Sequence, residues 1–304
     1  MIELFKALAD PIRLRLTAIL LYGEFTVQEL TAILGIGQSK ASWHLKILVG
    51  AGILTVKRQG TWSYYRAGGD SPLFMAIRPV FEQQLFPIPE RQQDLTAVAA
   101  VLEERRQRSQ VFFDRHARQW DELARTLLPV PEYLPRLLAL LPAGGTMVEI
   151  GVGTGGLLAD LAARADTVIG VDHSPAMLEE ARRRMAGSGG SSVDLRLGEM
   201  THLPLPDTSA DCALLNMVLH HAPDPPAVLA EIRRVLRPGG SLLIADLARH
   251  ERETAREQLA DQWLGFDEAE LTGWLKAAGF DEVICERTEG ATGQETVLVV
   301  RGSL

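Results

Sequence analysis

Residues 146–172 constrain the fold more than any other stretch. An apolar run, Thr146-Met147-Val148-Glu149-Ile150, leads into Gly151-Val152-Gly153-Thr154-Gly155-Gly156, then into an apolar helical segment, Leu157–Ala163. A second apolar run, Thr167–Val171, ends on Asp172. Strand, glycine-rich turn, helix and strand form the opening unit of a parallel α/β sheet. From Tyr133 onward helical and strand patterns alternate with short connections, so this sheet is expected to occupy the rest of the chain.

The glycine string satisfies G-x-G-x-x-G, which dinucleotide-binding folds also carry. Glycines let the backbone approach a ligand closely, and an acid at the tip of the second strand is placed to accept hydrogen bonds from two ribose hydroxyls. Both features suit any adenosine-containing cofactor. Glu149, two residues before the first glycine, discriminates among them. Its carboxylate would repel a pyrophosphate and attract an ammonium. S-adenosylmethionine has that ammonium and no phosphate.

The chain has 304 residues, 46% hydrophobic and 23% charged, which is the balance of a soluble globular protein of about two domains. No apolar run approaches the ~20 residues a bilayer requires, so no membrane contact is expected. Met1–Lys6 lacks the features of an export signal, which leads to the expectation of a cytoplasmic protein. Cys212 and Cys285 stand too far apart for a cysteine-rich metal centre and read as free core thiols. The net charge of −8 is uneven: residues 1–68 carry 8 Lys and Arg against 4 acids, and the remainder carries 23 against 35. A basic part at +4 beside an acidic part at −12 suggests that only the first part meets a polyanion.

Within the basic part, apolar residues recur at helical spacing with a break at Asp10-Pro11. A third helix starts at Thr26, with Glu29 completing a capping box, and ends at Leu34-Gly35. A fourth runs from about Gln38 to Val49, stopped by Gly50-Ala51-Gly52. Two short helices joined by a glycine-containing turn have helix-turn-helix geometry, whose second helix enters the major groove. Ala41, Leu45 and Leu48 would face inward. Gln38, Ser39, Lys40, Ser42, Trp43 and His44 are left near the exposed start as candidate DNA contacts. Residues 53–66 read as a β-hairpin about Gln59-Gly60, with Lys57, Arg58, Thr61 and Tyr64 as further candidates for contact with DNA.

The segments "ALADPIRLRLTAIL" and "LGIGQSKASWHLKILVGAGILTVKRQGTWSYYRA" resemble the winged-helix domain of the ArsR family of bacterial repressors, over residues 2–86. The resemblance implies a homodimer on a double-stranded DNA operator. The first helix and the apolar helix after Ser71-Pro72 (Leu73, Phe74, Ile77, Val80, Phe81, Leu85) would form the dimer contact. Metal-sensing members keep cysteines before the recognition helix, where this chain has Glu24–Leu30 without a thiol, so no metal is expected.

Beyond the junction Phe86-Pro87-Ile88-Pro89-Glu90, residues Asp94–Leu128 read as mostly helix, and Glu103-Glu104-Arg105-Arg106 reads as a solvated face. Residues 147–247, with "MVEIGVGTGGLLADLA", "VIGVDHSPAMLEEARRR" and "AEIRRVLRPGGSLLIADL", resemble class I S-adenosylmethionine-dependent methyltransferases, of the small-molecule, quinone-methylating kind. The resemblance implies a Rossmann-like seven-stranded sheet, completed by a carboxy-terminal helix and hairpin. It also implies S-adenosylmethionine or S-adenosylhomocysteine at Glu149, Gly151, Gly153, Gly155, Asp172, His173, Met177, Glu199, Met200 and Asn216. The Phe112–Asp121 segment resembles a lid over the cofactor, with Phe113 and Trp120 either on the ligand or in a core. His220 and His221 are the candidate catalytic bases, although methyl transfer can proceed by proximity and alignment alone. Arsenic methylation is not expected, because both cysteines fall inside strands.

The expected organisation is therefore two domains with a segment between them: a mainly α winged helix-turn-helix at 1–86, a linker and lid at 87–128, and an α/β methyltransferase-like domain at 129–304. Together these parts resemble regulators of the S-adenosylmethionine cycle that respond to S-adenosylhomocysteine. The rival expectation is a working methyltransferase with an autoregulatory DNA-binding domain.

Overall fold

The computed structural model describes residues 1–68, 71–84, 89–127, 133–186, 193–289 and 296–304. Leu85, residues 86–88 of the proline junction and the expected boundary at Leu128 lie outside the described residues. The chain divides into two compact units, Met1–Arg105 and Arg106–Leu304. The division falls within a helix, not at the proline-marked junction.

The first unit contains α1 (Ile2–Leu8), α2 (Pro11–Leu20), β1 (Phe25–Thr26), α3 (Val27–Leu34), α4 (Gln38–Gly50), β2 (Leu54–Gln59), β3 (Trp62–Ala67), α5 (Pro72–Gln84) and the start of α6 (Arg91–His116). Asp10 caps α2, accepting from the Arg13 amide at 3.0 Å, and Pro11 occupies the first turn, where its missing N–H costs nothing. Thr26 and Glu29 form both halves of the capping box on α3. The strands pair antiparallel in the order β1-β3-β2, with Gln59 opposite Trp62 across a two-residue turn. Leu16, Leu20, Leu30, Leu45, Leu48 and Ile53 form the centre of the core. Phe74 of α5 and Val98 of α6 join them.

The second unit holds the rest of α6, then α7 (Trp120–Leu127), α8 (Leu134–Ala139), β4 (Thr146–Ile150), α9 (Leu158–Ala162), β5 (Thr167–Asp172), α10 (Pro175–Ala186), β6 (Val193–Leu197), β7 (Ala210–Asn216), α11 (Pro225–Val235), β8 (Leu236–Leu247), α12 (Ala255–Gln258), α13 (Glu268–Ala277), β9 (Glu282–Thr288) and β10 (Val297–Ser303). The sheet order is β6-β5-β4-β7-β8-β10-β9, with β10 antiparallel to both neighbours and the first five strands parallel. This is the Rossmann-like seven-stranded sheet with its closing hairpin. Strands β4, β5, β7 and β8 are buried almost end to end, as parallel strands covered on both faces must be. Strand order reverses between β4 and β7, and ligands of open α/β sheets bind outside the carboxyl ends of strands at such a point.

Candidate functional site

A cavity of about 290 Å³ lies at that switch point. Glu149 and Gly151 reach it from the end of β4, Asp172 from β5 and Asn216 from β7, with Gly153, Thr154, His173, Met177, Met200 and His221 around them. Two glycines of the loop have different tasks. Gly151 sits at φ +71, and a Cβ there would run into the Val218 side chain, so the backbone needs glycine twice over. Gly155, assigned to the cofactor from sequence, is not among the lining residues. A Cβ on it would stand 2.8 Å from Leu158 and 3.2 Å from Ala181, so Gly155 permits α9 and α10 to pack closely.

Glu149 is 3% exposed and its Oε2 has no hydrogen-bond partner. Burial, with the neighbouring Asp172 adding to it, pushes its carboxyl up to about 8. A buried acceptor with a free oxygen is what an incoming ammonium requires. Asp172 accepts from the Gly153 amide at 2.8 Å through one oxygen and from the Ser174 amide at 2.9 Å through the other. These bonds orient the carboxylate at the cavity wall, and burial also pushes its pKa up. The residues present therefore fit an adenosyl group joined to an amino acid.

Phe113 is both core and lining. It is 6% exposed, packs on Ala117 and Met177, and meets the rings of Trp120 at 5.1 Å and His221 at 4.9 Å, while Phe113 and Trp120 also face the cavity. Gln110 donates to the His173 carbonyl at 3.0 Å, and Asp114 accepts from the Ser174 hydroxyl at 2.5 Å. Asp121 accepts from the Thr154 hydroxyl at 2.6 Å and pairs with Arg184. Tyr133 donates to Asn216 at 3.1 Å. Asp121, Tyr133 and Arg184 were not legible from sequence. Glu199, expected on the adenine, pairs with Arg106 at 2.7 Å and is not among the lining residues.

The two candidate bases separate in character. His220 is buried, with Nδ1 2.6 Å from Asp246 and Nε2 3.6 Å from Asp261. Burial works against its charge, but the two carboxylates outweigh it and hold the imidazole up at about 9. His221 lies on the cavity wall, and burial and the neighbouring His220 push it well below the ordinary histidine value. Its neutral ring is the form that accepts a proton. Cys212 and Cys285 are free, and burial pushes both thiols up to about 11.

In the first unit, Gln38, Ser39, Lys40, Ser42 and Trp43 of α4 are exposed, and Arg58 and Thr61 stand out at the hairpin tip, with Lys57 half-buried. Two expected contacts are corrected. His44 is only 3% exposed: it falls on the same helical face as Ala41, Leu45 and Leu48, and its Nδ1 lies 3.7 Å from Asp10. Tyr64 is 2% exposed on the central strand β3, paired on both sides to Thr26 and Lys57. Arg105 is a third correction. Its side chain is buried against Glu29, the capping acid of α3, at 2.7 Å, and does not belong to a solvated face.

The arrangement defines a helix-turn-helix unit followed by a class I methyltransferase unit. Residues 8–57 match the helix-turn-helix domain family and residues 148–244 match the methyltransferase domain family. The chain belongs to the S-adenosylmethionine-dependent methyltransferases by its second unit and carries an ArsR-type helix-turn-helix domain ahead of it. It is 30% identical over 167 residues to a demethylmenaquinone methyltransferase of Clavibacter sepedonicus, covering 46% of this chain and 67% of that one. It is 36% identical over 118 residues to an arsenite methyltransferase of Halobacterium salinarum, covering 38% of this chain and 30% of that protein. It spans 57% of the length of a malonyl-[acyl-carrier protein] O-methyltransferase of Serratia marcescens. The methyltransferase solved in complex with the Trm112 activator of Haloferax volcanii shares the fold, with a TM-score of 0.52 at 24% identity, over 63% of this chain and 96% of that one.

Proposed function

We propose that the chain is a cytoplasmic transcriptional repressor that binds an operator as a homodimer, with S-adenosylhomocysteine or S-adenosylmethionine in the cavity as its effector. The observation that carries this reading is the double employment of α6. Its first turn supplies Asp94, paired with Arg15 at 2.6 Å, and its middle supplies Arg105, paired with the capping acid of α3. Its last turns supply Gln110 and Asp114, which hold the loop after Asp172. One helix thus carries side chains that brace the DNA-binding fold and side chains that answer to the ligand loop.

Dimerisation is supported by the apolar side chains left exposed on α1 and α5: Ile2 at 65%, Phe5 at 51%, Met75 at 50% and Val80 at 60%. Exposed apolar side chains on both of these helices are what a partner subunit would cover. Among the described residues no helix is long and apolar enough to cross a membrane.

The second reading is a working small-molecule methyltransferase, favoured by the neutral His221 on the cavity wall and by the names of the relatives. Mass spectrometry of the small molecule that copurifies with the full chain tests the ligand class, and a methyl-transfer assay on a small-molecule cell extract separates the readings. A nucleoside thioether with little transfer supports the sensor. A nicotinamide dinucleotide would overturn the assignment of the cavity, and rapid transfer would favour the enzyme.

A further inference from the structure

Beside the cavity stands a second cluster, of which only His221 enters the methyltransferase reading, and there as a base and not as a ligand. His220, His221 and Asp261 offer one ligand atom each, all within 4.8 Å of one another, and all three residues are buried. Asp261 lies between α12 and α13, with both carboxylate oxygens buried and without a hydrogen-bond partner. Leaving two buried carboxylate oxygens unpaired is costly unless a charge meets them. His220 Nε2 is likewise buried and without a hydrogen-bond partner, and lies 3.6 Å from Asp261. The other nitrogen of His220 lies 2.6 Å from Asp246, which itself accepts from the Leu219 amide at 2.8 Å and the His220 amide at 3.3 Å. A carboxylate on Nδ1 orients the ring with Nε2 toward Asp261, so that a metal displacing the Nε2 proton would find the outer-shell support that metal-bound histidines have.

We propose that His220, His221 and Asp261 form a site for a borderline divalent transition metal of the zinc type, with Asp246 orienting His220. Two imidazoles and one carboxylate make three protein ligands, which is the number that leaves one position of a four-coordinate ion open. Asp261 lies 3.6 Å from His220 Nε2 and 3.9 Å from His221 Nδ1, which would exchange its 3.3 Å contact with the Ala260 carbonyl for the metal, and both separations are near the ligand-to-ligand spacing of ~3.4 Å around a zinc ion with ~2.1 Å bonds. The donor set also sets selectivity. Magnesium and calcium want several oxygens, whereas this cluster is mostly imidazole. Arg252 and Arg256, which act electrostatically on Asp261, further disfavour an ion held by charge alone. Because His221 also lines the cavity, the metal would share a wall with the ligand, and its open position would suit an oxygen or nitrogen donor. This inference does not depend on whether the cavity ligand is an effector or a methyl donor.

Full-length protein stripped with a chelator and titrated with Co²⁺ tests the proposal. The result expected is one Co²⁺ per chain, with the visible d–d bands of a four-coordinate site, displaced by Zn²⁺ and not by Mg²⁺. Asp261→Asn, which keeps the side-chain shape, and His221→Ala should each weaken Co²⁺ binding at least tenfold, with far-UV circular dichroism confirming the fold. Cys212→Ser and Cys285→Ser should leave binding and spectrum unchanged. If the stripped chain takes up no Co²⁺, the His220 proton alone serves the two carboxylates and the proposal fails. Equal uptake by wild type, Asp261→Asn and His221→Ala would place any metal on the surface and overturn it as well.

Discussion

Glu149 and Asp172 share the cavity wall, and burial makes both harder to ionise. An acid whose pKa is raised to about 8 is protonated in the empty protein at pH 7, whereas beside a ligand ammonium it is charged. Binding of S-adenosylhomocysteine is therefore expected to release close to one proton near pH 7, shared by the coupled pair. Affinity should rise with pH from the ordinary carboxyl range up to about 8 and then level off. Calorimetry in two buffers of different ionisation enthalpy measures the release, which Glu149→Gln should remove. Asp172→Ala removes a charged acceptor, whose hydrogen bonds are worth about 1.5–3 kcal/mol each, so calorimetric affinity for either ligand should fall at least tenfold. These two residues are legible in sequence because their meaning comes from one linear segment. The packing task of Gly155 is not legible because close packing and close ligand approach demand the same residue. The pairing of Glu199 is not legible because its partner, Arg106, is distant in sequence.

At the level of elements, helix periodicity and capping chemistry carried most of the first unit. The capping box and the break at Asp10-Pro11 stand where the residues indicate, while the hairpin turns at Gly60-Thr61, one residue beyond the expected Gln59-Gly60. The burial of His44 is legible too, since positions 41, 44, 45 and 48 share a face. Arg105 was not legible: a run of charges reads as solvated unless a partner 76 residues away is known. Arg105 is buried and Glu29 only half-buried, so removing one partner costs less than the ~3–5 kcal/mol of a fully buried pair. Arg105→Ala should still lower the urea midpoint of the first unit's unfolding clearly, and an unchanged midpoint would refute the pairing. On DNA, the exposed residues should divide by role. Lys57→Ala or Arg58→Ala should weaken binding to all duplexes and flatten the salt dependence by about one unit of slope per lost phosphate contact. Gln38→Ala or Ser42→Ala should relax sequence preference instead. Fluorescence anisotropy on specific and random duplexes at several salt concentrations tells the two apart.

For the whole molecule, the boundary between two units with separate cores falls within α6, whose residues are shared between the units. The order of the domains was legible because each follows a linear pattern of its own. The division falls within the 87–128 segment expected between the domains, and sequence gives no finer position because a 26-residue helix with charges all round shows no boundary in its periodicity. If α6 links ligand to DNA, Asp114→Ala should leave S-adenosylhomocysteine affinity within about threefold while reducing its effect on DNA affinity, since coupling is a free energy separate from binding. Calorimetry and anisotropy on the same preparation would show the split. Loss of both together would mean that Asp114 serves only the ligand loop.

S-adenosylmethionine and its demethylated product differ by one methyl group and one positive charge, so the protein can report their ratio only if its DNA-bound and free states prefer them differently. A complete switch needs a preference of up to ~5.5 kcal/mol. The most direct measurement is the affinity of the full chain for a duplex selected from a random-sequence pool, titrated with each ligand at fixed salt, beside a methyl-transfer assay on a small-molecule cell extract. S-adenosylhomocysteine should weaken DNA binding at least tenfold, S-adenosylmethionine should weaken it less, and methyl transfer should be slow or absent. DNA affinity that ignores both ligands while the extract is methylated rapidly would contradict the sensor account.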